Sequence, residues 1–149
     1  MEHEGTPVTI IWQRPVTPAE LAARHEGTLP GLLGIVLVEV GADFVRAEMP
    51  VDRRHIQPHG ILHGGGSAVL AETLGSFCGS MAVAEGQTCV GVEVNASHLA
   101  PVREGDRVTA ECRALQLGRS IQVWQIELRR QDGTLICVSR LTTAVRQVR

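Results

Sequence analysis

Apolar positions recur along this chain in two periods, and the switches between them mark its elements. Thr17-Pro18-Ala19-Glu20 has the signature of a helix start: Thr17 as N-cap, Pro18 at the first helical position, Glu20 completing a capping box. That helix is predicted to be short, ending near His25–Gly27. Gly34–Val40 and Phe44–Met49 read as two strands joined by Gly41-Ala42-Asp43. Pro50, Pro58 and Gly60 make the stretch from Pro50 to Leu62 a loop. A long helix is predicted over about residues 65–84, ending before Glu85-Gly86. Gly75 and Gly79 inside it cost roughly 1 kcal/mol each relative to alanine, so close packing against a sheet is the expected compensation.

Four strand-like runs follow. Cys89–Leu99 alternates, with Val90, Val92, Val94, Ala96 and His98 on one face and Gly91, Glu93, Asn95 and Ser97 on the other. Arg107–Leu115 places Val108, Ala110, Cys112 and Ala114 inward. In Ser120–Arg129 the apolar phase slips between Val123 and Trp124, which predicts a bulge or strong bend there. Asp132-Gly133 is a tight hairpin turn into Leu135–Val145. A helix apolar nearly all round must be widely covered, and an antiparallel sheet of about six strands wrapped round it does so economically. The expected class is α+β, with residues 1–149 forming one domain.

Composition narrows the chemistry. At 149 residues, with 44% hydrophobic and 20% charged positions, the chain reads as soluble and globular. A net charge of −2 removes the electrostatic case for nucleic acid. All 14 cations are arginine, which excludes Schiff-base lysines and the Walker lysine but leaves an anionic substrate open. Cys78, Cys89, Cys112 and Cys137 form no C-x-x-C pair and read as core thiols. Met1-Glu2-His3-Glu4-Gly5 is acidic and lacks a leader's apolar region, and no apolar run reaches the ~20 residues of a membrane span. The cytoplasm is the expected compartment, with no membrane association.

The chemistry concentrates around one acid. From His63 to Ala84 the only ionisable side chains of acid or base type are His63 and Glu72, set among Ala68, Val69, Leu70, Ala71, Leu74 and Phe77. A carboxylate on so apolar an element is costly to bury unless something pairs with it or uses it. Gly64-Gly65-Gly66 opens the helix, where free N–H groups and the helix dipole favour developing negative charge. Glu72 and Ser76 are four apart, hence on one face. His55, His59 and His63 share a four-residue spacing, but Pro58 and Gly60 argue against a helix there, so no metal site is expected.

Four segments together carry a family resemblance: Gln57-Pro58-x-Gly60-Ile61-Leu62-His63-Gly64-Gly65 with Ala71-Glu72; Val90-Gly91-Val92-Glu93-Val94-Asn95-Ala96; Gln122-Val123-Trp124-Gln125-Ile126-Glu127; and Ser139-Arg140-Leu141-Thr142-Thr143-Ala144. From about Ile11 to Val145 the chain resembles hotdog-fold acyl-CoA thioesterases of the hydroxybenzoyl-CoA and dihydroxynaphthoyl-CoA branch. The resemblance implies a tetramer built from hotdog dimers, with sites at the dimer interface and no cofactor. It implies that Glu72 is the catalytic nucleophile or general base and that the Gly64 N–H polarises the thioester carbonyl. Gln57 and His63 would position the thioester or the water, and Ser76 would assist. Gly91, His98, Leu99, Ala100, Pro101, Gly118, Arg119 and Ser120 would face the CoA moiety. Ala100 stands where relatives can carry a basic residue and Arg119-Ser120 reverses a Ser-Arg order, so Arg119 or Arg103 would supply the phosphate charge.

Plainer readings stand beside these. Glu72 could be a structural acid paired with an arginine, His63 a helix cap, His98 a core histidine, and Phe77 either an acyl-pocket wall or core. A hotdog hydratase or dehydratase would also pair a histidine with a helix carboxylate, but the glycine run after His63 favours hydrolysis. A non-catalytic acyl-CoA binder would not need the full polar set.

Overall fold

The computed structural model describes residues 8–149, so the acidic opening at Met1–Gly5 lies outside the described residues. The predicted capping box is formed at α1 (Pro18–His25): Glu20 N–H donates to Thr17 Oγ1 at 3.2 Å and Thr17 N–H donates to Glu20 Oε2 at 2.7 Å. A single turn, α2 (Leu29–Leu32), follows. It has no counterpart in the sequence reading, because four residues are too few to display a helical period. Next come β1 (Val36–Val40), β2 (Phe44–Pro50), α3 (Gly64–Met81), β3 (Gln87–His98), β4 (Arg107–Leu117), β5 (Ile121–Arg130) and β6 (Leu135–Gln147). The strands form one sheet in the order β1-β2-β4-β5-β6-β3, every pairing antiparallel. α3 packs against β2 through β6, giving the expected hotdog architecture of a sheet wrapped on a central helix. No helix among the described residues is long and apolar enough to cross a membrane.

The seam between α3 and the sheet explains both internal glycines. A Cβ on Gly75 would lie 2.7 Å from Leu141 Cδ2, and one on Gly79 would lie 2.7 Å from Cys89 Sγ. Gly75→Ala therefore sets a helix-propensity gain of about 1 kcal/mol against an overpacking cost of about 1–3 kcal/mol. The expected outcome of a denaturant titration is a net loss of stability; an unchanged or raised midpoint would mean the helix does not approach Leu141 so closely. Cys78, Cys112 and Cys137 are buried in this seam or beneath it, and burial pushes the Cys78 thiol up, as for core thiols.

α3 stops at Met81, three residues short of the expected end, because the segment before α1 caps it. Gln13 N–H and Arg14 N–H both donate to Met81 O at 2.9 Å, and Arg14 Nη2 donates to Ser80 O at 3.2 Å. These satisfy carbonyls that a helix terminus leaves without partners. The same segment brings Trp12 over Trp124, ring centroids 6.1 Å apart and nearly parallel.

Two strand expectations need correction. The alternation of β3 does not hold through its length, since the register with β6 passes directly from Gly91–Thr143 to Glu93–Thr142. Val92 is the extra residue of a bulge, so the inward set is Gly91 before it and Val94 and Ala96 after it. Val90 and Val92 are left 48% and 55% exposed. The bulge expected at Val123–Trp124 lies instead on the partner strand, where Leu115 is the extra residue opposite them. β5 keeps its phase: Gln122 faces inward, accepting from Trp124 Nε1 at 3.2 Å and Thr143 Oγ1 at 3.0 Å, while Val123 faces out.

Candidate active site

The loop before α3 is a small tied hairpin. Ile56 bridges Leu62, Gln57 N–H donates to Ile61 O at 2.8 Å, and Gly60 takes the positive φ of 79° that the turn requires. Leu62 N–H donates to Val102 O at 2.8 Å, fastening the hairpin to the segment after β3. Within it, His59 N–H donates to Gln57 Oε1, which fixes the amide orientation and leaves the Nε2 donor free.

His63 is the N-cap of α3, as the plainer sequence reading allowed. Its Nδ1 accepts from Gly65 N–H at 2.8 Å, so Nδ1 is unprotonated and Nε2 carries the proton of the neutral ring. The exposed ring thus still presents an N–H donor. Gly64 N–H has no acceptor among the described residues. A Cβ at Gly64 would lie 2.7 Å from His98 Nε2, so the histidine at the end of β3 packs directly on this backbone. Gln57, Gly64, His98, Leu99, Ala100 and Pro101 line one cleft of about 400 Å³, with Ser67 and Ile136 beneath.

Glu72 sits elsewhere on α3. The sheet covers α3 widely but leaves open a stripe through Gly65, Val69, Glu72, Thr73 and Ser76. Glu72 is exposed in the single chain, with no ion-pair partner among the described residues. It shares a groove of about 230 Å³ with Leu29, Pro30, Val69, Thr73 and Ser76. Its Oε1 would stand 3.3 Å from a Cβ on Gly91, so a bare backbone position on β3 makes room for the carboxylate. Ser76 is held through its carbonyl, which accepts from Ser80 Oγ at 3.0 Å and Cys89 Sγ at 3.6 Å.

One chain therefore divides the expected residues into separate groups. Gly64 and Glu72 are eight residues apart on one helix, about 12 Å of axial rise, too far to act on one carbonyl. Gly118 and Arg119 line a third hollow of about 320 Å³ near the C-terminal end of α3, beside Gln122, and the Ser120 carbonyl is used by Val145 N–H. Phe77 is 7% exposed and belongs to the core; neither the cleft nor the groove reaches it. The groove residues Leu29 and Pro30 escape a sequence reading because they lie in a turn too short to predict. The histidines at 55, 59 and 63 do not converge: among the described residues no three His, Cys, Asp or Glu groups could hold a metal ion. His55 is instead buried.

Comparison with known proteins agrees with this architecture. The thioesterase superfamily model matches residues 59–137. The chain is 48% identical over 136 residues to the 1,4-dihydroxy-2-naphthoyl-CoA hydrolase of Escherichia coli, covering 91% of this chain and 99% of that one. It is 49% identical to the proofreading thioesterase EntH of Klebsiella pneumoniae over 91% of this chain and 98% of the relative. A crystal structure of a Haemophilus influenzae thioesterase, 46% identical, superposes with a TM-score of 0.89 over 93% of this chain and 96% of that one. With the fold, the residues of the motif and near-complete alignment in accord, the chain belongs to the thioesterase superfamily.

Proposed function

We propose that the chain hydrolyses acyl-CoA thioesters bearing a bulky, apolar acyl group, at sites completed by a second copy of itself. One observation carries this reading: the carboxylate and the free N–H notch are both open to solvent yet about 12 Å apart along one helix. A twofold partner supplies the missing half of each site. β3 supports the pairing, since it is an edge strand of twelve residues with Val90 and Val92 exposed, and unpaired apolar edges invite a partner. Two such dimers form the expected tetramer. The four free thiols fit the reducing cytoplasm.

In the assembled site the thioester carbonyl lies in the partner's notch, accepting from Gly64 N–H, with Gln57 Nε2 and His63 Nε2–H positioning the thioester or the water. Glu72 removes a proton from water, which bonds to the carbonyl carbon, or attacks that carbon itself to form an anhydride that water then opens. The oxyanion is stabilised by the notch, where a preorganised donor is typically worth about 3–4 kcal/mol. Collapse breaks the C–S bond and releases the thiolate, which needs no strong acid to leave. Ser76 assists beside Glu72. Gly91 and His98 to Pro101 follow the pantetheine arm, and Gly118, Arg119 and Ser120 meet the nucleotide. The apolar groove of Leu29, Pro30 and Val69 beside Glu72 supports a large acyl group, as does the relative named for 1,4-dihydroxy-2-naphthoyl-CoA hydrolysis.

A panel of naphthoyl-, benzoyl-, short-chain and long-chain acyl-CoAs with a thiol-reactive dye tests the reading. Aryl esters are expected to exceed acetyl-CoA in kcat/KM by about tenfold or more, the scale of a filled apolar pocket. Absence of thiol release from every ester, or hydration of crotonyl-CoA instead, would refute it.

A further inference from the structure

We propose that His55 is a positioning residue of the carbonyl-binding notch, acting through His63 and Gly64 and not on the substrate. The inference rests on the role given above to those two residues. His55 is 2% exposed and every polar atom it owns is committed. Its Nε2 lies 2.7 Å from Leu33 O; a carbonyl only accepts, so Nε2 carries a proton. Its Nδ1 lies 3.1 Å from Asp52 N and 3.0 Å from Asp52 Oδ1. A neutral ring accepts from the first and a protonated ring donates to the second, so the clamp holds in either state. Its N–H donates to Asp52 O at 2.9 Å, and its own carbonyl accepts from His63 N–H at 2.8 Å.

These bonds join three pieces of chain that carry the proposed chemistry. Leu33 is the C-cap of α2, whose Leu29 and Pro30 wall the groove at Glu72. Asp52 leads out of β2 into the loop bearing Gln57. His63 caps α3 and precedes the Gly64 donor. Asp52 is itself held by Arg54, which donates to its carboxylate and to Leu32 O, a second tie to the end of α2. Any residue at 55 would offer His63 a carbonyl, but only a side chain bonded at both ends fixes where that carbonyl stands. A displacement of about 1 Å in such a frame costs up to about a hundredfold in rate.

The test compares wild type, His55→Leu, His55→Asn and His55→Gln as full-length proteins, measuring kcat, KM, thermal midpoint and oligomeric state on the best acyl-CoA. His55→Leu is expected to lower kcat by about 10–100-fold per folded molecule, with KM changed less than about threefold. His55→Gln, whose amide can reach Leu33 O, is expected to recover most of that loss, and His55→Asn less. A His55→Leu protein that melts earlier but turns over at the wild-type rate would overturn the proposal, reducing His55 to a core filler. Should His55→Leu not fold, equal kcat in the Gln and Asn variants and wild type would overturn it just as well. A wild type without thiol release on any ester would remove the notch reading and this inference together, whereas an active wild type isolates the inference.

Discussion

Replacing Glu72 by glutamine is expected to lower kcat for thioester hydrolysis by about a thousandfold or more while leaving KM nearly unchanged. Glutamine keeps the shape of the side chain and can still lie against Gly91, so the stripe of α3 and its neighbours need not move. What is lost is the negative charge proposed to accept a proton from water or to attack the carbonyl carbon. Stability provides the contrast. Glu72 is exposed and has no ion pair among the described residues, so the thermal midpoint should stay within the range of an ordinary surface change, about 0.5 kcal/mol. A structural carboxylate would give the opposite pattern, a lowered midpoint with turnover retained. Thiol release and thermal melts on the same preparation distinguish the two, and retention of most of the rate on every ester tested would refute the catalytic assignment.

Much of this site is legible in the linear sequence because its signals are local. The Thr17–Glu20 capping box, the glycine run at the head of α3, the pairing of Glu72 with Ser76 and the hairpin at Asp132-Gly133 each depend on residues within one turn of one another. Gly75 and Gly79 likewise announce a close approach, although Leu141 and Cys89, the groups approached, could not be named beforehand. What resisted reading depends on partners distant in sequence. The bulge at Val92 exists because of the register β3 adopts with β6, and four alternating apolar residues give no hint of it. The slip near Val123 correctly marked a level of the sheet, but the extra residue that relieves it is Leu115 on the neighbouring strand. Glu72 looked buried because its sequence neighbours are apolar, whereas the sheet covers only one side of the helix. His55 was hidden for a related reason: its partners, Asp52 and Leu33, become meaningful only once α2 and the loop meet.

Gly64→Pro is expected to inactivate the enzyme without unfolding it, and its mixture with Glu72→Gln to restore activity. Proline deletes the one N–H proposed to meet the oxyanion, a loss of about 10²–10³ in kcat. The backbone tolerates it: Gly64 is the first helical residue, where proline is favoured, and it has no positive φ. His63 before it already sits at φ −67° and ψ 136°, the extended region a pre-proline residue prefers. The nearest atoms to an added Cβ belong to the His98 ring, a side chain able to turn aside. Each variant alone should have both of its sites defective, since every composite site, as proposed, needs Glu72 from one copy and Gly64 from the other. In a mixed pair, one site combines both lesions and the other combines neither. Random assortment from equal co-expression makes half the pairs mixed, so about one quarter of wild-type activity should return. Were both groups to act from the same chain, no combination would assemble an intact site and the mixture would stay as inactive as its parts. Rescue toward a quarter, scaling with the fraction of mixed pairs counted by native mass spectrometry, is the result that only a site shared between copies can produce.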